Sequence, residues 1–452
     1  SDILQQRRAG VLLHPTSLPS GKLDDAVEHW FDFMQQAGLS VWQVLPLVIP
    51  DHTGSPYQSC SAFATNPALV DERLPSAGPS EARAAFYWRQ REWLPDYARF
   101  VVLKEVFGGM PWYDWPEDYR DRDAKTLGKF DAEYAEQLDA VMDRQFVLEQ
   151  RWQAVRAMAS QRDILIFGDI PIFVALDSAD VWANRTEFLL NQDGHPAYVA
   201  GVPPDYFSET GQRWGNPHYD WETMQKTDFR WWRARLQRKL DWFDIVRIDH
   251  FRGLEACWMI PAECETAIDG FWQEVPGKAL LENLRQHFAE LPIVAEDLGV
   301  ITPQVTALRK AFDLPGMAVV QFAFDEFDDN PHKPANITPD QVAYSGTHDN
   351  NTTLGWYQEL DQTMQRFVRK LLQGDKDQDI VQLMIQRVYQ SAANLAIIPM
   401  QDLLGLDADA RMNTPGVSDG NWSWRLTVEQ LSQAPTEQLH RLIEQTGRLH
   451  EG

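Results

Sequence analysis

The run Phe243-Asp244-Ile245-Val246-Arg247-Ile248-Asp249-His250-Phe251-Arg252 carries strand-forming residues into a packet of charge. Side chains alternate along a strand, so Arg247 and Asp249, two residues apart, share a face. A guanidinium beside a carboxylate lowers its pKa, and Arg247 is therefore expected to hold Asp249 ionised. An ionised carboxylate at a strand tip suits the nucleophile of a glycosidic reaction, although a structural Arg–Asp pair would look the same in isolation. Two further segments end in the same way. Ile293-Val294-Ala295 runs into Glu296-Asp297, and Val342-Ala343-Tyr344-Ser345 runs through Gly346-Thr347 into His348-Asp349. Glycoside chemistry needs an acid/base and a nucleophile, and a third carboxylate can stabilise the charge that develops on the sugar ring. Asp249, Glu296 and Asp349 supply such a set in order along the chain.

Positioning three strand-tip carboxylates at one face calls for parallel strands alternating with helices, an α/β (β/α)8 TIM barrel. Strand candidates are Gly10–Leu13, Val41–Leu47, Ile164–Val174, the strand before Asp249, the strand before Glu296, Ala318–Phe324, Val342–Ser345 and Leu395–Ile398. A helix over Asp25–Ala37 meets a stop signal at Gly38. Leu280, Leu284, Phe288 and Leu291 mark one buried helical face before the fifth strand. The whole chain, 1–452, then reads as one catalytic barrel with two insertions. Residues 48–160 form a helical inserted subdomain after strand 2, too long for a loop. Residues 175–235 form an irregular, loop-rich insertion after strand 3. About fifty residues follow strand 8 and read as helical after Thr436, which leaves no room for a C-terminal β-sandwich.

Several strings have no general structural reason to occur together: GVLLHPTSLP at 10–19, Ser55-Pro56-Tyr57-Gln58, Gly168-Asp169-Ile170-Pro171-Ile172-Phe173-Val174, GVPPDYFSETGQRWGNP at 201–217, Asn413-Thr414-Pro415-Gly416 and Gly420-Asn421-Trp422. With these the chain resembles the amylomaltases, 4-α-glucanotransferases of the α-amylase clan, along nearly its whole length. The resemblance implies Asp249 as nucleophile, Glu296 as acid/base with Asp297 helping to raise its pKa, and Asp349 as transition-state stabiliser. It implies substrate-binding roles for Arg247, for His348 as a donor to sugar hydroxyls, and for Asp169 near the same sugar. Tyr57, in a fixed turn after strand 2, is expected to offer a stacking platform. Tyr206, Phe207 and Trp214 are expected to line a flap over the glucan groove, because three aromatics on one loop are costly to expose unless they cover something. Two segments depart from the family pattern at the groove mouth, Ser20-Gly21-Lys22-Leu23 and the VIPDHT of Val48–Thr53.

The implied reaction is retaining transfer of malto-oligosaccharide segments from a 1,4-α-glucan donor to the 4-OH of glucose or another glucan, with no cofactor and no metal. A hydrolase of α-1,4-glucans could use the same carboxylates, and a non-catalytic glycan-binding protein would have no use for an acid/base residue. A metal-dependent hydrolase built on His250, His348 and Asp349 lacks any HxH or HExxH spacing. Composition agrees with a neutral partner. With 41 basic against 66 acidic residues, nucleic acid and anionic membranes are poor partners. Eighteen tryptophans suit the flat C–H faces of sugars. Three cysteines without CxxC spacing read as reduced thiols, and SDILQQRRAG has no apolar signal core, so a cytoplasmic location is expected.

Overall fold

The computed structural model describes residues 2–75 and 80–450, so positions 76–79 of the helical segment and the extreme ends of the chain lie outside the described residues. Eight strands form one all-parallel sheet: β1 (Arg8–Leu12), β2 (Val41–Gln43), β3 (Leu165–Ile170), β4 (Ile245–Ile248), β5 (Ile293–Ala295), β6 (Gly316–Val319), β7 (Gln341–Tyr344) and β8 (Leu395–Pro399). The spatial order is β6-β7-β8-β1-β2-β3-β4-β5. Ala295 N–H donates to the carbonyl of Pro315, just before β6, at 2.8 Å, which draws the two ends of the sheet together into a nearly closed (β/α)8 barrel.

Period-2 alternation explains both the core and the site above it. Val41, Phe167, Ile245, Val342, Tyr344, Leu395 and Ile397 pack together inside the barrel, while Ile166, Val246, Ala343 and Ala396 face the surrounding helices. Two residues beyond Phe167 and Ile245 the inward positions become charged, as Asp169 and Arg247. Those two are direct register partners on neighbouring strands. Gly168, between Phe167 and Asp169 on β3, has no room for a side chain, because a Cβ there would collide with the Phe243 ring packed on the outer face. The top interior layer is therefore polar and the layers below it are apolar. The helix Ala26–Ala37 ends at Gly38 in the left-handed conformation, at φ 80°, where glycine avoids a Cβ penalty.

The segment after β2 is helical, with Ser80–Arg89, Leu94–Val106, Ala124–Glu133 and the 27-residue Ala135–Gln161. The last also serves the barrel, since its Trp152 packs between Trp42 and Phe243. The segment after β3 is more ordered than its sequence suggests. Strands Tyr198–Val202 and Gln212–Pro217 pair as a hairpin, and helix Arg230–Trp242 leads into β4. With Ala256–Pro261 and Phe271–Glu274 they make a four-stranded antiparallel sheet beside the barrel mouth. These strands escape period-2 reading because they are short, rich in Gly and Pro, and partly exposed: all four residues of Phe271–Glu274 face solvent. The helix before β5 ends at His287, so Phe288 and Leu291 lie beyond it. After β8 the described residues form helices and loops, including Thr436–Gln445, and no strand.

Candidate active site

The strand order puts the C-terminal tips of β3, β4, β5 and β7 around one opening, and a groove of about 1150 Å³ lies across it. Asp249, Glu296, His348 and Asp349 all line this groove, with Tyr57, Trp214, His250 and Trp422. Asp249 begins the turn after β4, where its N–H donates to Ile170 at 2.9 Å. The next residue, His250, takes the left-handed conformation at φ 55°, an unusual state for a residue with a Cβ.

Arg247 organises the carboxylates from below. Its Nη1 donates to Asp169 Oδ2 at 2.7 Å and its Nη2 to Asp249 Oδ1 at 3.0 Å. The same Nη2 stands 3.8 Å from Glu296 Oε1. The sum of those last two distances bounds the separation of Asp249 Oδ1 and Glu296 Oε1, which admits the ~5–5.5 Å of a retaining pair and reaches only the lower edge of the ~6.5–9.5 Å of an inverting one. Tyr57 Oη donates to the Asp169 carboxylate from the other side. Asp169 is fully buried under Tyr57 and Arg247 and does not reach the groove surface.

Burial and crowding set the proton affinities. The Glu296 carboxyl is pushed up to about 8, first by burial and then by the charge of Asp249, against the pull of Arg247 and of the Leu298 N–H at 3.2 Å. Asp297 adds the smallest of these effects, because its own carboxylate turns away to Met317 N–H at 2.9 Å and Arg309 at 3.4 Å. Asp169 rises to about 7 by burial. Asp249 is also raised, by burial, with Arg247 opposing and Asp349 reinforcing. This reverses the expectation that Arg247 lowers Asp249 overall. One guanidinium is shared among three carboxylates, and desolvation outweighs its share for any one of them.

Asp349 is tethered from the C-terminal segment. Asn413 Nδ2 donates to its Oδ1 at 2.8 Å, and Arg411 Nη2 donates to its backbone carbonyl at 2.6 Å. His348 Nε2 lies 3.2 Å from the same Oδ1, and burial lowers the pKa of this imidazole. The Tyr57 ring stacks on His348, with centroids 5.3 Å apart and planes 5° from parallel, and Trp422 closes the cluster 5.7 Å from His348. The Tyr57 face turned to His348 is therefore occupied by the imidazole. Trp214 meets His250 edge-on at 4.8 Å on the groove wall. Tyr206 is 98% and Phe207 94% exposed on the hairpin tip, and of the two only Tyr206 lines the groove.

Nothing in the sequence alone assigns a chemical role to Asn413, Arg411 or Trp422. Asn413 and Trp422 do sit in strings that carry the family resemblance, whereas nothing in the local pattern marks Arg411. Trp272, which also lines the groove, stands in a short exposed strand whose sequence shows no apolar/polar alternation.

A family model described as 4-alpha-glucanotransferase, glycoside hydrolase family 77, matches residues 12–77 and 73–431. The chain belongs to this family. The 4-alpha-glucanotransferase of Thermus thermophilus is 42% identical over 98% of this chain and 99% of its own length. The chloroplastic/amyloplastic 4-alpha-glucanotransferase of Arabidopsis thaliana is 40% identical over 98% of this chain and 86% of its own. Among solved structures, the amylomaltase from Streptococcus agalactiae in complex with acarbose superimposes with a TM-score of 0.94 at 30% identity, over 98% of this chain and all of that one. As a member of family 77 the chain is a retaining 4-α-glucanotransferase: it moves 1,4-α-glucan segments by double displacement, and it keeps the (β/α)8 fold of that family.

Proposed function

We propose that Asp249 is the nucleophile, Glu296 the acid/base and Asp349 the transition-state stabiliser of this transfer. In the first step Asp249 attacks C1 of the sugar on the donor side of the scissile bond. The C1–O4 bond breaks, and Glu296 gives its proton to O4 of the departing segment. Glu296 suits this step because its pKa of about 8 keeps it protonated at neutral pH. In the second step the acceptor's 4-OH gives its proton to Glu296 and attacks C1, and the bond to Asp249 breaks. The observation that carries the reading is the shared Arg247 Nη2, which holds Asp249 and Glu296 on one guanidinium at a separation that fits the ~5–5.5 Å of a retaining pair.

The remaining residues divide between sugar contacts and support. His348 donates to hydroxyls of the reacting sugar, and Tyr57 borders that sugar while fixing Asp169. Asp169 acts through Arg247, since it is buried away from the groove. Tyr206 and Trp214 form the groove side of a flap that covers the bound glucan and holds water off the covalent intermediate, with Phe207 beside them turned to solvent. Residues 48–160 and 175–235 act as inserted subdomains that wall the groove. The substrates are malto-oligosaccharide donors and glucose or glucan acceptors, a reading supported by the acarbose bound in the Streptococcus agalactiae relative. We place the reaction in the cytoplasm, in starch, glycogen or maltodextrin metabolism. The unpaired thiols Cys60, Cys257 and Cys264 fit a reducing compartment, and among the described residues no helix is long and apolar enough to cross a membrane.

The test is the product ladder from maltotriose. A transferase makes longer chains together with glucose, and this ladder should vanish in Asp249→Asn, Glu296→Gln and Asp349→Asn. Products that only shorten would make the protein a hydrolase. A normal ladder from any one variant would remove that residue from the mechanism.

A further inference from the structure

Past Asp249 the groove runs over the turn Phe251–Leu254 to Phe271–Glu274, the edge strand of the small sheet. Alternation along that strand sends Trp272 and Glu274 to the groove, while Phe271 turns to Tyr198, with ring centroids 5.4 Å apart. Trp272 is 44% exposed, a large apolar area to leave on a groove wall. The ring is nevertheless held firmly. Trp258, its register partner on the adjacent strand, meets it edge-on at 5.1 Å and is itself fixed by an indole N–H bond to Ala267 O at 2.8 Å. The Arg252 guanidinium lies over the Trp272 ring at 4.2 Å and pairs with Glu255 at 3.5 Å. Arg252 and Glu255 line the groove as well.

A braced indole with a guanidinium over one face and two carboxylates beside it in the groove selects its ligand by chemistry. An anion would meet Glu255 and Glu274, and a cation would meet Arg252. A neutral pyranose can lay its C–H face on the indole and bond its hydroxyls to donors and acceptors of both signs. We infer that Trp272, with Arg252 over one face and Glu255 and Glu274 beside it, forms a glucosyl subsite away from the cleaved bond that holds a distal unit of long 1,4-α-glucan chains on its open face. The inference rests on reading the groove as a glucan-transfer cleft.

The experiment compares Trp272→Ala and Trp272→Phe with the unsubstituted full chain on maltotriose and maltoheptaose. Trp272→Ala should lower kcat/KM for maltoheptaose by roughly three- to tenfold, the worth of one aromatic contact. Its loss on maltotriose should be at least about threefold smaller, and Trp272→Phe should recover most of the difference. A loss independent of donor length, or no loss, overturns the subsite. Binding is read separately by calorimetry with maltoheptaose on the Asp249→Asn protein, with and without Trp272→Ala. Weaker binding with the second substitution supports the subsite even if the maltotriose ladder defeats the transferase reading, and unchanged binding overturns it.

Discussion

Asp249 and Glu296 answer to one nitrogen atom: Nη2 of Arg247 lies 3.0 Å from the first and 3.8 Å from the second. The pair is thereby held close, half-buried and short of positive charge. Burial and then the Asp249 charge raise the Glu296 carboxyl to about 8, while Asp249 itself is raised by burial and by Asp349 against the pull of Arg247. Glu296 can then carry a proton at neutral pH, while the Arg247 hydrogen bond favours the charged form of Asp249.

The pH profile should follow from this. Transfer needs Glu296 protonated and Asp249 ionised, so kcat/KM should fall on the alkaline side as pH rises through about 8. On the acid side it should fall at a pH above the ordinary aspartate range, because Asp249 is raised. A profile flat from neutrality to pH 10 would contradict the assignment of Glu296.

The same shift bears on stability. A carboxyl whose folded pKa exceeds its unfolded value holds its proton more tightly in the native state, so stability falls as pH rises from about 4.5 to about 8. Glu296→Gln removes that loss. Its melting temperature should match the parent below pH 4.5 and exceed it above pH 8, by a free energy on the order of a few kcal/mol. Thermal melts at pH 4.5, 6.5 and 8.5 read the trend, and a gap that does not grow with pH would contradict it.

Asn413 should prove a positioning residue. Its amide fixes the Asp349 oxygen at 2.8 Å, and a hydrogen bond to a charged group is worth about 1.5–3 kcal/mol. Asn413→Ala should therefore lower kcat by roughly ten- to a hundredfold, with a smaller change in KM. Steady-state kinetics on maltotriose would show this split. A change confined to KM would mean that the tether does not act on the transition state.

Trp214 tests the flap. The ring stands on the groove wall against His250 at 4.8 Å, and replacing it opens the site to water without touching Asp249 or Glu296. Trp214→Ala should raise the ratio of hydrolysis to transfer several-fold, measured as free reducing ends against transferred glucose units in one maltotriose digest. An unchanged ratio with unchanged affinity for long glucans would leave the ring a space-filling role.

How much of this was visible in the sequence depends on whether a residue's setting is local. The inward rows Phe167–Asp169 and Ile245–Arg247 are legible because strand alternation is a two-residue rule. The tips bearing Asp249, Glu296 and Asp349 are legible for the same reason, each following a short apolar run. The sign of the Asp249 shift is not local, since it depends on how one guanidinium is divided among carboxylates from three strands and on how much water the fold removes. The hairpin within 198–217 is hidden because its strands are short, carry Gly and Pro, and bury consecutive rather than alternate positions. The Asn413 and Arg411 tethers reach Asp349 from more than sixty residues downstream, and no spacing rule spans that distance.

The central claim is a covalent glycosyl intermediate on Asp249, and it can be read by mass spectrometry. Glu296→Gln, offered an α-maltosyl fluoride, needs no proton for the fluoride to leave but lacks the base that activates the acceptor. The glycosylated protein should accumulate. Proteolysis should place the added maltosyl mass on the peptide that contains Asp249 and on no other, and Asp249→Asn in the same background should abolish it. A label on a different carboxylate, or rapid release of sugar with inverted anomeric configuration and no adduct, would contradict the account.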